Sequence, residues 1–376
     1  MAKRRCTPEN RVALVTGASA GVGRATALAL AEHGFDVALL ARGEAGLRAA
    51  ADDVRARGRR AVVLTADVAD QPSVEAAADA AEDALGPLDV WVNNAMTTTF
   101  APFTETAPQD FQRAFEVTFL GQVWGTMAAL ERMRPRDRGS IVNVGSALAF
   151  LGIPLQAPYC AAKFACRGFF ESVRAELLHE GSGVQISMVH LPAVNTPQFS
   201  WCRTAMKRQP QPVPPIYEPE VCARHIVRAA IDGRRSTIVG SWNRALVAAG
   251  SIAPGFGNHY AALGAWQSQL TGEPLPPDRP DNLRRPVDAT RDYDAHGIFD
   301  DQAHGVLTPA FLKSLPATAR TFVRALLATA RDRRRRGQRP SAACSSCSSS
   351  SSAPSSSSSS PSSSWAAASG SSSSLA

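Results

Sequence analysis

Nowhere in its 376 residues does this chain carry an apolar run of the roughly 18 residues that a membrane-spanning helix requires, which excludes a helical membrane protein. Its basic start reaches Pro8 without the apolar stretch of a secretory leader, and the expectation is a cytoplasmic protein. Cysteine is sparse: the seven residues at positions 6, 160, 166, 202, 222, 344 and 347 form no regular framework. That pattern fits a reducing compartment and excludes a disulfide-stapled fold. Cys344 and Cys347 have the tempting two-residue spacing, but no second pair exists and they sit in a serine tract, so no metal or redox role is expected of them. Excess positive charge is also missing from the body of the chain. Of the net +7, Lys3, Arg4 and Arg5 give +3, and 331–339, with six Arg against one Asp, gives +5, which leaves residues 6–330 at about −1. A near-neutral body with basic ends excludes a dedicated nucleic-acid surface, and the Arg333–Arg336 cluster offers only nonspecific attraction to RNA or anionic lipid.

What the chain does have is alternation. Short apolar, β-branched runs at 11–16, 36–42, 61–68, 90–95, 140–145, 184–191 and 236–240 are separated by Ala/Leu/Arg-rich stretches of helical length. Runs such as Val12-Ala13-Leu14-Val15 are apolar throughout, which implies strands covered on both faces. The βαβ repetition implies a doubly wound α/β fold with a parallel seven-stranded sheet. The alternation stops near residue 245, where Gly- and Pro-rich text takes over. The expected organisation is therefore a basic lead over 1–10, a doubly wound domain over 11–245, an appended segment over 246–330, and a tail over 331–376. Of the tail's last 36 residues 22 are serine, too little apolar material to form a core.

Ser146, followed thirteen residues later by Tyr159-Cys160-Ala161-Ala162-Lys163, is the most informative pattern. Residues four apart on a helix share a face, so the Lys163 ammonium can sit beside the Tyr159 phenol and favour its ionised form, since a free phenol with pKa near 10 is a poor acid–base at neutral pH. A hydroxyl at Ser146 can anchor a carbonyl oxygen. Together they point to proton transfer coupled to hydride transfer. At the other end, Thr16-Gly17-Ala18-Ser19-Ala20-Gly21-Val22-Gly23 follows the first strand and opens a helix, where glycines let the backbone approach a pyrophosphate at the helix N-terminus.

The spacing G-x-x-x-G-x-G, with these residues, resembles the single-domain short-chain dehydrogenase/reductase family over about residues 10–245. Thr16, Gly17, Gly21 and Gly23 match its glycine motif, Asn93-Asn94-Ala95 the motif after the fourth strand, and Ser146, Tyr159 and Lys163 its catalytic set. Pro192-Ala193-Val194-Asn195-Thr196 matches the loop after the sixth strand that holds the nicotinamide. The resemblance implies a Rossmann-type fold and an NAD(P)-dependent oxidoreductase acting on a carbonyl or alcohol. It further implies cofactor contacts from Gly17, Ser19, Gly21, Val22, Gly23, Asn94, Pro192 and Thr196, adenine contact from Asp67, ribose contact from Lys163, and pairing into a homodimer or homotetramer.

Cofactor choice is read at the end of the second strand, where an acid favours NAD and an arginine favours NADP. Leu39-Leu40-Ala41-Arg42 carries no acid, and Arg42 can fork onto a phosphate, so NADP(H) is expected ahead of NAD(H). Two departures from the family pattern stand out. Thr118 occupies the place of an asparagine whose segment supports a proton-relay water, and Met96 replaces a glycine beside the cofactor pocket. The loops 148–158 and 197–219 are apolar through Phe150, Leu151, Ile153, Phe199, Trp201 and Met206, which predicts a hydrophobic substrate. Two rival readings stay open: a cofactor-binding regulatory or scaffold protein with little turnover, and a lipid-modifying reductase docked on a membrane through 246–330.

Overall fold

In a computed structural model the described residues are 11–252 and 255–304, with positions 324, 325, 328 and 331. The expected basic lead, the appended segment past 304 (those few positions aside) and the serine-rich tail with Cys344 and Cys347 lie outside them.

The first half is a strict βαβ series. Strand β1 (Arg11–Thr16) leads to helix α1 (Gly21–Glu32), β2 (Phe35–Ala41) to α2 (Glu44–Ala56), and β3 (Ala61–Thr65) to α3 (Gln71–Leu85). After β4 (Leu88–Asn93), helix α4 (Pro108–Phe115) runs through a π-turn at Glu116–Leu120 into α5 (Gly121–Met133). Strand β5 (Gly139–Ser146), the long α6 (Ala157–His179), β6 (Val184–Leu191), α7 (Pro219–Asp232) and β7 (Ser236–Ile238) complete the sheet. Its order is β7-β6-β5-β4-β1-β2-β3, parallel at every pairing, so the chain winds outward in both directions from the gap between β1 and β4.

All seven residues of β2 are buried, as are five of six in β1. Alternate side chains enter opposite layers: Ala13 and Val15 join the core beneath α1, α2 and α7, while Val12 and Leu14 join the one beneath α3, α5 and α6. This is the continuous hydrophobicity of a sheet covered on both faces. Five of the seven strands differ from their apolar text by one to three residues at an end, and two of these shifts bear on the site. Strand β3 stops at Thr65, three residues earlier than its apolar text, because the chain turns at Asp67, whose side chain accepts the Ala69 N–H at 3.0 Å. Strand β2 stops at Ala41, so Arg42 is the first residue beyond it.

The text after residue 240 packs against this body. Helix α8 (Ser241–Ile252) spans the point where the alternation breaks, and Leu270–Pro274 pairs antiparallel with Arg208–Pro210. Residues 275–304 then form a strap with little regular structure that ends in Ala303–His304, paired parallel with Ile216–Tyr217, itself paired with Ala193–Val194. The strap is tied down by charge. Buried Arg24 on α1 pairs with Asp292 at 2.5 Å as well as with Asp53, and Arg203 bridges Asp281 at 2.6 Å and Asp110 at 2.7 Å.

Candidate active site

The C-terminal ends of β1, β4, β5 and β6 open onto one cleft with about 320 Å³ of internal space. Such a crevice, where strand order reverses, is where open α/β sheets bind ligands. One end is bordered by Gly17, Ser19, Gly21, Val22, Arg42 and Asp67, the other by Ser146, Tyr159 and Lys163, with Asn94, Met96, Pro192 and Thr196 also on its wall. Every residue singled out from the sequence as cofactor-binding, apart from Gly23, therefore lines the same cleft.

The glycine turn is built for close approach. Gly17 has φ +65°, and a Cβ there would lie 2.9 Å from the Ala95 Cα. A Cβ on Gly23 would lie 2.0 Å from the Gly17 carbonyl oxygen and 2.5 Å from Asn94 Nδ2, so Gly23 lets α1 start directly under the turn. Thr16 locks β1 to β4: its Oγ1 accepts the N–H groups of Asn94 at 2.9 Å and Ala95 at 3.0 Å, while Asn94 Nδ2 donates to the Thr16 carbonyl at 3.0 Å. Asn93, one residue earlier, faces inward, donating to Asn143 Oδ1 at 2.8 Å and Thr126 Oγ1 at 3.0 Å and accepting from Trp91 Nε1 at 2.7 Å. The tandem asparagines thus divide labour between cleft and core.

Ser146 ends β5, and its Oγ accepts the Leu148 N–H at 3.1 Å, which leaves its own proton directed elsewhere. Tyr159 and Lys163 stand one turn apart on α6, with Nζ 5.6 Å from the tyrosine ring centroid. Lys163 is 1 % exposed and donates to the Val144 carbonyl at 2.7 Å. The sequence predicts a phenol acidified by this ammonium; the structure differs. Burial holds the Tyr159 phenol well above its ordinary range, with the hydroxyl of Ser146 pulling it back down, and burial depresses Lys163. The tyrosine is consequently a protonated donor at neutral pH.

Thr118 is fully buried on the π-turn, but its hydroxyl is engaged away from Lys163. It donates to the Thr97 carbonyl at 2.8 Å and accepts the Thr97 N–H at 3.0 Å, while the Thr118 carbonyl accepts from Cys166 Sγ at 3.3 Å. Thr118 therefore braces the stretch after β4 that carries Met96. The Asp67 side chain, expected at the adenine, pairs with Arg113, and Arg42 donates to the carbonyls of Asn282 at 2.5 Å and Leu283 at 3.4 Å.

Sequence reasoning missed several participants. Gln156, three residues before Tyr159, is buried and donates to Gln269 Oε1 at 2.7 Å, which stitches the apolar loop to the appended segment. A polar residue inside an apolar loop was its only signal. Asn282 and Asp288, on the cleft wall, belong to no motif. Trp242 and Leu246, in α8, line the cleft together with Leu151, Ile153, Phe199 and Trp201, so the appended text supplies part of the apolar wall. Trp266 is 39 % exposed and lies outside that wall.

Behind Ser146, His190 places Nδ1 3.2 Å from the Ser146 carbonyl and its ring against Phe150, 4.7 Å between centroids. Burial pushes this imidazole down to about 4, so it is neutral at pH 7. The unfolded chain takes up a proton near 6.5, so this contribution is present above that pH and is lost as pH falls from about 6.5 towards 4. The loss approaches roughly 3 kcal/mol, at 1.36 kcal/mol per pKa unit. Thermal melts at pH 7 and pH 5 should show a drop that His190→Asn largely removes; an identical drop in the variant would assign it to other groups.

Among the described residues no helix is long and apolar enough to cross a membrane, and no group of three or more His, Cys, Asp or Glu is placed to hold a metal ion.

Comparison with known proteins agrees with this architecture. The short chain dehydrogenase family model matches residues 11–206. The uncharacterized oxidoreductase YxnA of Bacillus subtilis is 34 % identical over 248 residues, covering 65 % of this chain and 70 % of YxnA. The 17-beta-hydroxysteroid dehydrogenase 13 of Mus musculus is 30 % identical over 278 residues, covering 73 % of this chain and 88 % of its own. Among solved structures, a short chain dehydrogenase/reductase from Burkholderia phymatum in complex with NAD superimposes with a TM-score of 0.58 at 24 % identity, over 64 % of this chain and 92 % of that one, a likeness of fold. With a glycine turn, a parallel doubly wound sheet and a family match over more than half its length, the chain belongs to the short-chain dehydrogenase/reductase family, oxidoreductases that act on CH–OH and C=O groups with NAD(P).

Proposed function

We propose that this protein interconverts a carbonyl and an alcohol on a hydrophobic substrate, with NADP(H) as cofactor and Ser146, Tyr159 and Lys163 as its working set. The observation that carries the proposal is the single cleft that joins the Gly17–Gly23 turn to Ser146 and Tyr159. The cradle fits a dinucleotide: side chains at Gly17 and Gly23 would collide with the neighbouring backbone, and the turn faces open cleft. When bound, the nicotinamide supplies or accepts the hydride. Tyr159, protonated by virtue of its burial, gives its proton to the substrate oxygen in the reductive direction. Ser146, with its oxygen already accepting from Leu148, directs its hydroxyl proton to that same oxygen where negative charge develops. Lys163 holds the cofactor ribose, its Nζ fixed by donation to the Val144 carbonyl. Gly21, Val22 and Ser19 hold the phosphates, Asn94, Pro192 and Thr196 the nicotinamide side, and Asp67 the adenine side. Thr118 acts as a positioning residue through Thr97.

The apolar wall of Leu151, Ile153, Phe199, Trp201, Trp242 and Leu246 supports a hydrophobic substrate, in keeping with the hydroxysteroid in the name of the mouse relative. The absence of an acid at the tip of β2 and the position of Arg42 on the cleft support NADP(H). Arg42→Ala should raise the NADPH KM about tenfold or more and leave the NADH KM within about threefold; equal effects on both would overturn the cofactor assignment. The thiols of Cys160, Cys166, Cys202 and Cys222 are all free and buried, which supports a reducing, cytoplasmic location. Exposed Met127 on α5 and Phe164 on α6 support a homodimer or homotetramer that pairs through those helices.

A further inference from the structure

The Arg42 end of the cleft is occupied by the chain itself. Asp288, from the strap, projects onto the start of α2: a Cβ added to Gly43 would lie 1.8 Å from its Oδ1, and one added to Gly46 would lie 3.0 Å from its Oδ2 and 3.0 Å from Ser19 Cβ. The strap backbone is fastened at the same point. Gly46 N–H donates to the Asp288 carbonyl at 3.1 Å and Ala45 N–H to the Ala289 carbonyl at 3.3 Å, using two amides that the first turn of a helix leaves unsatisfied. The carboxylate is different. It is 8 % exposed and faces the cleft, yet makes no hydrogen bond or ion pair with any of the described residues. Nearby, Arg42 uses its donors on the carbonyls of Asn282 and Leu283 and meets Asp288 only through charge.

A buried, unpaired carboxylate at the positive end of a 13-residue helix, beside an arginine, marks an anion pocket filled from within. The features that surround it are those a 2′-phosphate would need: Arg42, the Ser19 side of the glycine turn and the α2 N-terminus. We propose that Asp288 is a specificity-determining residue of the cofactor site, an internal occupant of the 2′-phosphate pocket that weakens NADP(H) binding while leaving the ribose 2′-hydroxyl of NAD(H) accommodated. A 2′-phosphate reaches Arg42 only when Asp288 and the carbonyls of 282–283 withdraw, so the Asp288 carboxylate sets the ceiling on the preference that Arg42 creates. This inference rests on the reading of the cleft as a dinucleotide site.

The test is binding to the full chain, read by calorimetric titration with NADPH, NADH, ADP-ribose and 2′-phospho-ADP-ribose. Asp288→Asn removes the charge at nearly constant shape, and Asp288→Ala removes the bulk as well. Both should tighten NADPH and 2′-phospho-ADP-ribose about tenfold or more, shift NADH and ADP-ribose by less than about threefold, and lose the gain when Arg42→Ala is added. Unchanged or weakened NADPH binding in both variants, or a gain that survives without Arg42, would overturn the role of Asp288. Melting curves of the two variants show whether the strap stays docked; if Asp288→Ala unfolds, Asp288→Asn alone decides. The two readings fail separately. A wild-type chain that binds NADH in preference to NADPH, with the gain still present in the variants, removes the NADP(H) assignment and keeps Asp288. A wild type that prefers NADPH through Arg42, with no gain in the variants, does the reverse.

Discussion

Replacing Tyr159 by Phe should lower kcat for carbonyl reduction by about 10²–10⁴-fold, the usual contribution of a positioned proton donor, while the NADPH dissociation constant stays within about threefold. The change deletes one oxygen from a ring that keeps its place on α6, so the loss falls on the chemical step. Burial keeps the phenol of Tyr159 protonated well into the alkaline range, so wild-type reduction should hold its rate as pH rises through neutrality. Oxidation of the alcohol needs the phenolate and should climb with pH over the same interval. Pre-steady-state reduction together with cofactor titration separates the two quantities. A variant that keeps its rate would mean that the proton comes from elsewhere.

Gly23→Ala should be the most damaging single-methyl change in the cofactor site. The added Cβ would lie 2.0 Å from the Gly17 oxygen and 2.7 Å from its carbon, both backbone atoms that cannot swing aside. Relief requires α1 to slide away from the turn. At the upper end of overpacking costs, about 3 kcal/mol, the melting temperature of a domain this size falls by roughly 6–12 °C. Because α1 opens onto the cleft at Gly21 and Val22, NADPH binding should drop by more than about 100-fold. Differential scanning calorimetry and cofactor titration read the two effects. A variant with wild-type stability and affinity would show that the turn is looser than its contacts imply.

The sheet was legible because its strands are buried on both faces. Val12-Ala13-Leu14-Val15 and the fully buried β2 leave a continuous apolar signal that no surface strand would produce. Ser146, Tyr159 and Lys163 were legible because two of them share one helix and the third ends a neighbouring strand, so sequence spacing carries their proximity. The fates of Arg42, Asp67 and Thr118 were not. Each has a recognisable place in the chain, but its partners, Asn282, Arg113 and Thr97, come from other segments, and the contact with Asn282 spans 240 positions. The strap was unreadable for the same reason. Its order comes from ion pairs such as Arg24–Asp292 and from backbone bonds to α2, interactions that have no sequence period. Asp288 lay in text with no motif, and only the fold brings it to the pocket that Arg42 borders.

Hydride transfer to a hydrophobic carbonyl, coupled to a proton from Tyr159, is open to one decisive measurement. Incubating the full chain with NADPH deuterated at the transferring C4 position, against a panel of aromatic, aliphatic and sterol-like carbonyls, tests it most directly. At least one hydrophobic substrate should give an alcohol carrying deuterium at the former carbonyl carbon, with at least about a hundredfold less product from Tyr159→Phe. Activity confined to small charged acids, product without the label, or undiminished transfer in Tyr159→Phe would contradict it.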